Sequence, residues 1–248
     1  MAGLGLPRRW RMASAGQGLP YKSCAAPGMT FLTTNKISAI APHMKIASIV
    51  LCGGESHRMG QPKAWLPIGP ERMLQRVVRL VGTVCPEVVV VAAPGQDYPP
   101  LPGGITIVSD RDPGQGPLEG LAAGLSALSS SPEFAFVTAT DTPFLHPAWI
   151  LRLHELIGSH DVAIPNVDGR LHPLAALYRT TTATPAVASL RAQGQRRLLL
   201  LAETLRTREV TAEELRVADP ELKTLRNLNS PEDYHQALRE IQSPKLPE

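Results

Sequence analysis

Apolar residues fall into two alternating kinds of run from Lys45 onward. Ile46 to Leu51 is a short, continuous apolar stretch rich in β-branched residues and ended by Gly53-Gly54. Such a run predicts a strand buried on both faces of a parallel sheet. Glu71 to Val84 instead spaces Met73, Leu74, Val77, Val78 and Val81 as one stripe of a helix. The alternation continues. Strands are predicted over Val88 to Ala92, Ile105 to Ser109 and Phe134 to Ala139, and helices over Leu118 to Leu128 and Pro147 to Ile157. Strand and helix in turn imply a doubly wound, mostly parallel α/β sheet.

After Asp161 the periodicity weakens. Val162 to Pro165 and Pro173 to Tyr178 read as strands, with the second in an antiparallel setting, and Thr184 to Gln193 and Leu198 to Leu205 as helices. Pro231 to Ile241 carries stronger helix signals. Ser230 can cap it, Pro231 suits its first turn, and Glu232 and Asp233 complement its dipole. Residues 1–44 show no periodicity and are expected to be a disordered extension, either genuine or the product of a start assigned upstream of Met44. The domain then covers 45–242, with a frayed tail at 243–248.

Composition narrows the function classes. The hydrophobic fraction of 43% suits a globular core, while aromatics at 4% are too few for a single-strand stacking platform. The net charge of +3 is uneven: residues 1–45 hold six basic groups and no acid, leaving 19 basic against 22 acidic in the remainder. No basic excess there suggests nucleic acid. No apolar run approaches the roughly 20 residues needed to span a bilayer. Cys24, Cys52 and Cys85 are too scattered for a disulfide framework or a zinc site, so a cytoplasmic setting is expected.

The candidate chemistry lies past the strand ends. Gly53 and Gly54 leave backbone uncovered for a close ligand approach, and Ser56, Arg58, Gly60 and Lys63 follow on a polar loop suited to phosphate. A Walker A loop does not fit, because Gly60 is followed by Gln61, Pro62 and Lys63. A dinucleotide fingerprint does not fit either, for Pro62 blocks the helix it needs. Asp110 opens S-D-R-D-P-G-Q-G-P-L-E-G ahead of a helix N-terminus, where it serves a ligand or an Asx-turn. Asp141 follows a buried strand and precedes Thr142-Pro143, a position that suits Mg²⁺ shared with phosphate oxygens. Leu51, Asp110 and Asp141 can therefore share one crevice at the carboxyl edge.

The string G-G-E-S-H-R-M-G-Q-P-K from Gly53 to Lys63 resembles the signature of nucleotidyltransferases, and Leu51-x-Gly53-Gly54 is most similar to molybdenum cofactor guanylyltransferases. Three further strings resemble that family in order: G-P-L-x-G (Gly116 to Gly120), D-T-P-F at Asp141, and N-x-N-S-P-E from Asn227. His172-Pro173-Leu174 resembles its H-P-L string, where His172 shapes a second-substrate site or only packs.

The resemblance implies a nucleotide-diphospho-sugar-transferase-like, Rossmann-type fold that transfers GMP from GTP to molybdopterin with Mg²⁺. It implies nucleotide contacts from Leu51, Cys52, Gly53, Gly54, Lys63, Asp110 and Asp141. Arg58, Lys63 and Asp141 would carry catalysis, and Asp141 the metal. Asn227 and Asn229 would contact a pterin or line the phosphate crevice, or serve only local turn chemistry. A monomer is expected, with other cofactor-biosynthesis or acceptor-enzyme proteins as partners and neither nucleic acid nor membrane. A sister cytidylyltransferase, a sugar-phosphate enzyme and a nucleotide binder without turnover are the rivals. Arg196 and Arg197 read as a solvated face, and His57 and His154 as surface residues.

Overall fold

The computed structural model describes residues 45–53, 62–110 and 116–242. The expected extension and tail lie outside these residues, as do Gly54, Ser56, His57, Arg58 and Gly60. The first strand, β1 (Ile46–Leu51), is buried along its whole length. It pairs in parallel with β4 (Glu87–Ala92) on one side and β6 (Phe134–Ala139) on the other. Beyond β4 lies β5 (Thr106–Ser109), also parallel. A separate two-stranded ribbon, β2 (Pro67–Ile68) and β3 (Glu71–Arg72), precedes the first helix.

That helix, α1, spans Met73–Gly82, so the two residues expected to begin it belong to β3 instead. Helix α2 (Pro117–Ser126) and helix α3 (Pro147–Ile157) follow β5 and β6. The period-2 alternation of β1 divides the core. Ile46 and Val50 pack with α1 and α3 on one face, and Ile49 and Leu51 pack with α2 on the other. Helix α2 lies close to β1. A Cβ on Gly124 would stand 2.4 Å from Ile49 Cγ2, and one on Gly120 3.1 Å from Leu51 Cδ2.

The second half of the sheet is mixed. β7 (Val162–Val167) turns through Asp168 and Gly169, both at positive φ (52° and 75°), into β8 (Arg170–Leu171). Positive φ at both central residues is a type I′ hairpin, for which Asp-Gly is a strong signal. β9 (Ala175–Arg179) then runs antiparallel to both β6 and β7, in line with the expected antiparallel strand. Helices α4 (Thr180–Ala192) and α5 (Leu200–Thr204) lead to β10 (Thr207–Thr211), which pairs in parallel with β7. The main sheet is ordered β10-β7-β9-β6-β1-β4-β5, with β8 paired to β7.

α6 (Ala212–Arg216) and a strap over residues 217–230 then lead to α7 (Pro231–Gln242). Ser230 caps α7 as expected: Asp233 N donates to Ser230 Oγ at 3.2 Å, and Ser230 N donates back to Asp233 Oδ2 at 3.0 Å. No helix among the described residues is long and apolar enough to cross a membrane.

Candidate functional site

The chain leaves β1 for β4 on one side and returns as β6 on the other, so the strand order reverses at β1. Doubly wound sheets bind ligands at such a switch point, beyond the carboxyl ends of the strands. Register makes those ends level, with Leu51 opposite Ala139. Thr140 ties them together, its N–H and Oγ1 donating to Leu51 O at 3.1 and 3.2 Å. On the other flank Cys52 N donates to Val91 O at 2.7 Å, and Asp110 N donates to Ala92 O at 3.0 Å. Leu51, Cys52, Gly53, Asp110 and Asp141 thus stand along one edge, as their sequence positions imply.

Asp141 is fixed from both sides. Thr142 Oγ1 donates to Ala139 O at 2.8 Å, which bends the chain after β6, and Leu228 N of the strap donates to Asp141 O at 3.0 Å. The cap of α3 is His146, whose Nδ1 accepts from Ala148 N at 3.3 Å; Asp141 is therefore not needed for capping. Its Oδ2 accepts from Lys63 Nζ at 2.7 Å. Its Oδ1 is buried and has no hydrogen-bond partner among the described residues. A buried acceptor without a donor costs free energy, so this oxygen is suited to a cation.

Lys63 begins a 3₁₀ turn (Lys63–Trp65) after Pro62, and its Nζ also donates to Asn229 Oδ1 at 3.1 Å. Two residues 78 and 166 positions away in sequence thereby meet one ammonium. Asn229 is itself held, since its N–H donates to Asp233 Oδ2 at 3.0 Å. The backbone N–H groups of Asn229 and Ser230 hold the Asp233 carboxyl below its ordinary pKa.

No group of three or more His, Cys, Asp or Glu side chains gathers around a metal position among the described residues. One carboxylate with a spare oxygen fits Mg²⁺, which completes its shell from substrate phosphates and water, better than a metal that needs a protein cage.

Beside Asp141 a cavity of about 700 Å³ opens, lined by Thr142, Arg170, His172, Leu174, Arg197 and Asn227 among others. In the strap, Leu228 is fully buried between Asn227 and Asn229. Asn227 lines the cavity and Asn229 meets Lys63, so the two asparagines serve adjoining places. Burial, with Arg170 nearby, lowers the His172 pKa.

Arg197 is exposed, as expected of a solvated face, and it also lines the cavity. One expectation needs correction. His154 is a packing residue, edge-on to Phe134 at 5.3 Å, and burial lowers its pKa. Two residues enter the picture only through the structure. Glu119 is buried and bound through both oxygens by Arg191 of α4, which anchors the start of α2. Arg170 lines the cavity, and the only sequence signal near it is the Asp168-Gly169 hairpin.

Residues 48–209 match the profile of the family described as "MobA-like NTP transferase domain". The chain belongs to this family. It is 36% identical over 205 residues to a Mycobacterium tuberculosis (strain H37Rv) protein named "Probable molybdenum cofactor guanylyltransferase", covering 80% of this chain and 96% of that protein. A Chloroflexus aggregans protein of the same name is 34% identical, covering 77% and 92%.

Among solved structures the fold is similar to molybdopterin-guanine dinucleotide biosynthesis protein A from Archaeoglobus fulgidus, with a TM-score of 0.64 and 24% identity over 79% of this chain and 98% of that one. It is also similar to 2-C-methyl-D-erythritol 4-phosphate cytidylyltransferase from Thermus thermophilus, with a TM-score of 0.60 and 20% identity over 81% and 100%. At these identities the two structures speak for the fold alone. For this family member, strand order and edge geometry agree with a nucleotidyltransferase.

Proposed function

We propose that the protein transfers GMP from GTP to the terminal phosphate of molybdopterin, giving the guanine dinucleotide form of the molybdenum cofactor and pyrophosphate. The observation that carries this reading is the Lys63–Asp141 pair at the switch point, with Thr142, the residue after Asp141, lining a cavity together with Arg170, Arg197 and Asn227. A triphosphate site at Asp141 and an acceptor site lined by Thr142 would then be neighbours along the chain. The names of the mycobacterial and Chloroflexus relatives supply guanine and the molybdenum cofactor.

In the reaction an oxygen of the acceptor phosphate forms a bond to the α-phosphorus of GTP. The bond from that phosphorus to the bridging oxygen breaks, and its electron pair leaves with pyrophosphate. The acceptor phosphate is already ionised, so no general base is needed, and positioning with charge neutralisation carries the rate. Asp141, whose buried Oδ1 has no hydrogen-bond partner among the described residues, would hold Mg²⁺. Bound there, Mg²⁺ supplies neutralisation of charge on phosphate oxygens. Lys63 exchanges Asp141 for the triphosphate, and Asn229 steadies its ammonium. Arg58 joins it on the pyrophosphate side by the family resemblance, since it lies outside the described residues. Arg170 and Arg197 offer charge to the anionic acceptor, with Leu174 and its apolar neighbours against the pterin ring.

The test is pyrophosphate release from purified protein given molybdopterin, Mg²⁺ and each nucleoside triphosphate in turn. GTP should support release well above CTP and ATP. Release with CTP in preference to GTP would contradict the guanylyl reading, and no release with any of them would contradict the transferase reading.

A further inference from the structure

β4 ends in a turn whose side chain reaches back across the strand gap. Ala93-Pro94-Gly95-Gln96 closes with Gln96 N donating to Ala93 O at 3.0 Å, and Gly95 has φ 70°. Proline second and glycine third at positive φ make a type II turn. It brings the Gln96 carboxamide over the ends of β1 and β4. There Oε1 accepts from Ala93 N at 3.0 Å and Nε2 donates to Cys52 O at 2.9 Å, with Cys52 Sγ at 3.5 Å. The amide can point only one way, because an N–H must meet its oxygen and a carbonyl its nitrogen. Cys52 N to Val91 O is the last backbone rung between these strands among the described residues. Gln96 adds one more rung past it, made from a side chain.

That rung lies where a nucleoside must lie. Asp141 and Lys63 fix the phosphate end at β6 and β1, and Asp110 stands at the end of β5. Four adjacent strands from β6 to β5 span three spacings, ~14 Å, a length a nucleoside triphosphate can cover. The exits of β1 and β4 sit in the middle of that track. A Cβ built on Gly53 would lie 3.8 Å from Ala93 N, so the two backbones are nearly in contact.

We propose that Gln96 is a positioning residue for base discrimination: its carboxamide locks the Cys52–Gly53 backbone against Ala93, so that the edge presented to the base cannot adapt to the wrong one. This rests on the guanylyl reading above. Discrimination comes from polar groups left unpaired by the wrong base, and it survives only if those groups cannot relax. With the clamp present the edge is fixed before the nucleotide arrives; without it the edge can follow a pyrimidine.

The experiment is calorimetric titration of the full chain with GTP, CTP and inorganic tripolyphosphate, each with Mg²⁺, for wild type, Gln96→Ala and Gln96→Met. The methionine variant keeps the side-chain length without the amide, and melting curves check that each is folded. Both variants should lose GTP affinity by about tenfold, the scale of one well-placed hydrogen bond. Tripolyphosphate affinity should stay near wild type and CTP affinity should hold or rise, so the GTP-to-CTP ratio falls. An unchanged ratio, or equal losses for all three ligands, overturns the positioning role. Absence of a GTP preference in the wild type instead overturns the guanylyl reading, and is seen before any variant is made.

Discussion

The parallel half of the sheet and the mixed half hold their functional residues in different ways. β6, β1, β4 and β5 run side by side in one direction, so Asp141, Cys52 and Asp110 come level through register alone. Each sits one or two residues past a strand, and Lys63 and Asn229 are drawn onto Asp141. In the other half β9 opposes its neighbours. The cavity wall there is gathered from a hairpin (Arg170), the approach to β9 (His172, Leu174), a loop between helices (Arg197) and the strap (Asn227). The first arrangement suits a constant ligand part, the triphosphate. The second leaves a cavity of about 700 Å³ whose walls come from separate segments, as a bulky acceptor requires.

If the halves divide the work this way, substitutions should separate by substrate. The largest effect is expected for Asp141→Asn, which should fold normally yet lose roughly 10²- to 10³-fold in turnover, on the scale of removing one preorganised electrostatic group. Steady-state rates at ordinary Mg²⁺ check this, and near-normal turnover would remove Asp141 from the site. Lys63→Ala should weaken GTP binding by about 10- to 100-fold, the range for hydrogen bonds to a charged group, with little change in the KM for molybdopterin.

Gly124→Ala asks whether close packing of α2 on β1 supports the parallel half. The added methyl collides with Ile49 and should cost about 1–3 kcal/mol, read as a fall in Tm. Arg197→Ala sharpens the comparison most. It should raise the KM for molybdopterin by about fivefold to tenfold while GTP affinity holds, as for loss of a partly exposed charged contact. An equal loss for both substrates would break the proposed division.

The legibility of the two halves follows the same line. β1 and β6 are plain in the sequence because buried parallel strands are unbroken apolar runs, and the acid after such a run is easy to place. Phe134–Ala139 and Pro147–Ile157 lie where the periodicity puts them. β10 is not legible because only Val210 of Thr207–Thr211 is buried, which leaves no apolar run to read. The cavity role of Arg197 is hidden for a related reason: it lies in a polar loop, and only tertiary packing brings that loop to the cavity. Asn229 carries a recognisable string, but its contact with Lys63 spans most of the domain and has no local signature. The Ala93-Pro94-Gly95-Gln96 segment has the residues of a turn, although nothing local says where its glutamine points.

The smallest expected effect concerns acid stability in the mixed half. Arg206 hydrogen-bonds Asp161 through its guanidinium and holds that carboxyl down to about 2. A carboxylate with a lowered folded pKa contributes its full stabilisation above its unfolded value, and loses it as pH falls toward 2. Burial lowers the pKa of His146, His154 and His172. Keeping them neutral in the folded state costs stability as pH falls through the ordinary histidine value of about 6.5. Urea midpoints should therefore decline modestly from pH 7 to 5. They should decline again below the ordinary carboxylate range, with Asp161→Asn showing a smaller second step.

Both halves meet in one product. Mass spectrometry of a reaction containing the protein, molybdopterin, Mg²⁺ and equal concentrations of GTP, CTP, ATP and UTP reads the base and the acceptor together. The account predicts molybdopterin joined to GMP as the dominant new species, formed far more slowly by Asp141→Asn. Molybdopterin joined to CMP, or unmodified molybdopterin alone, would contradict it.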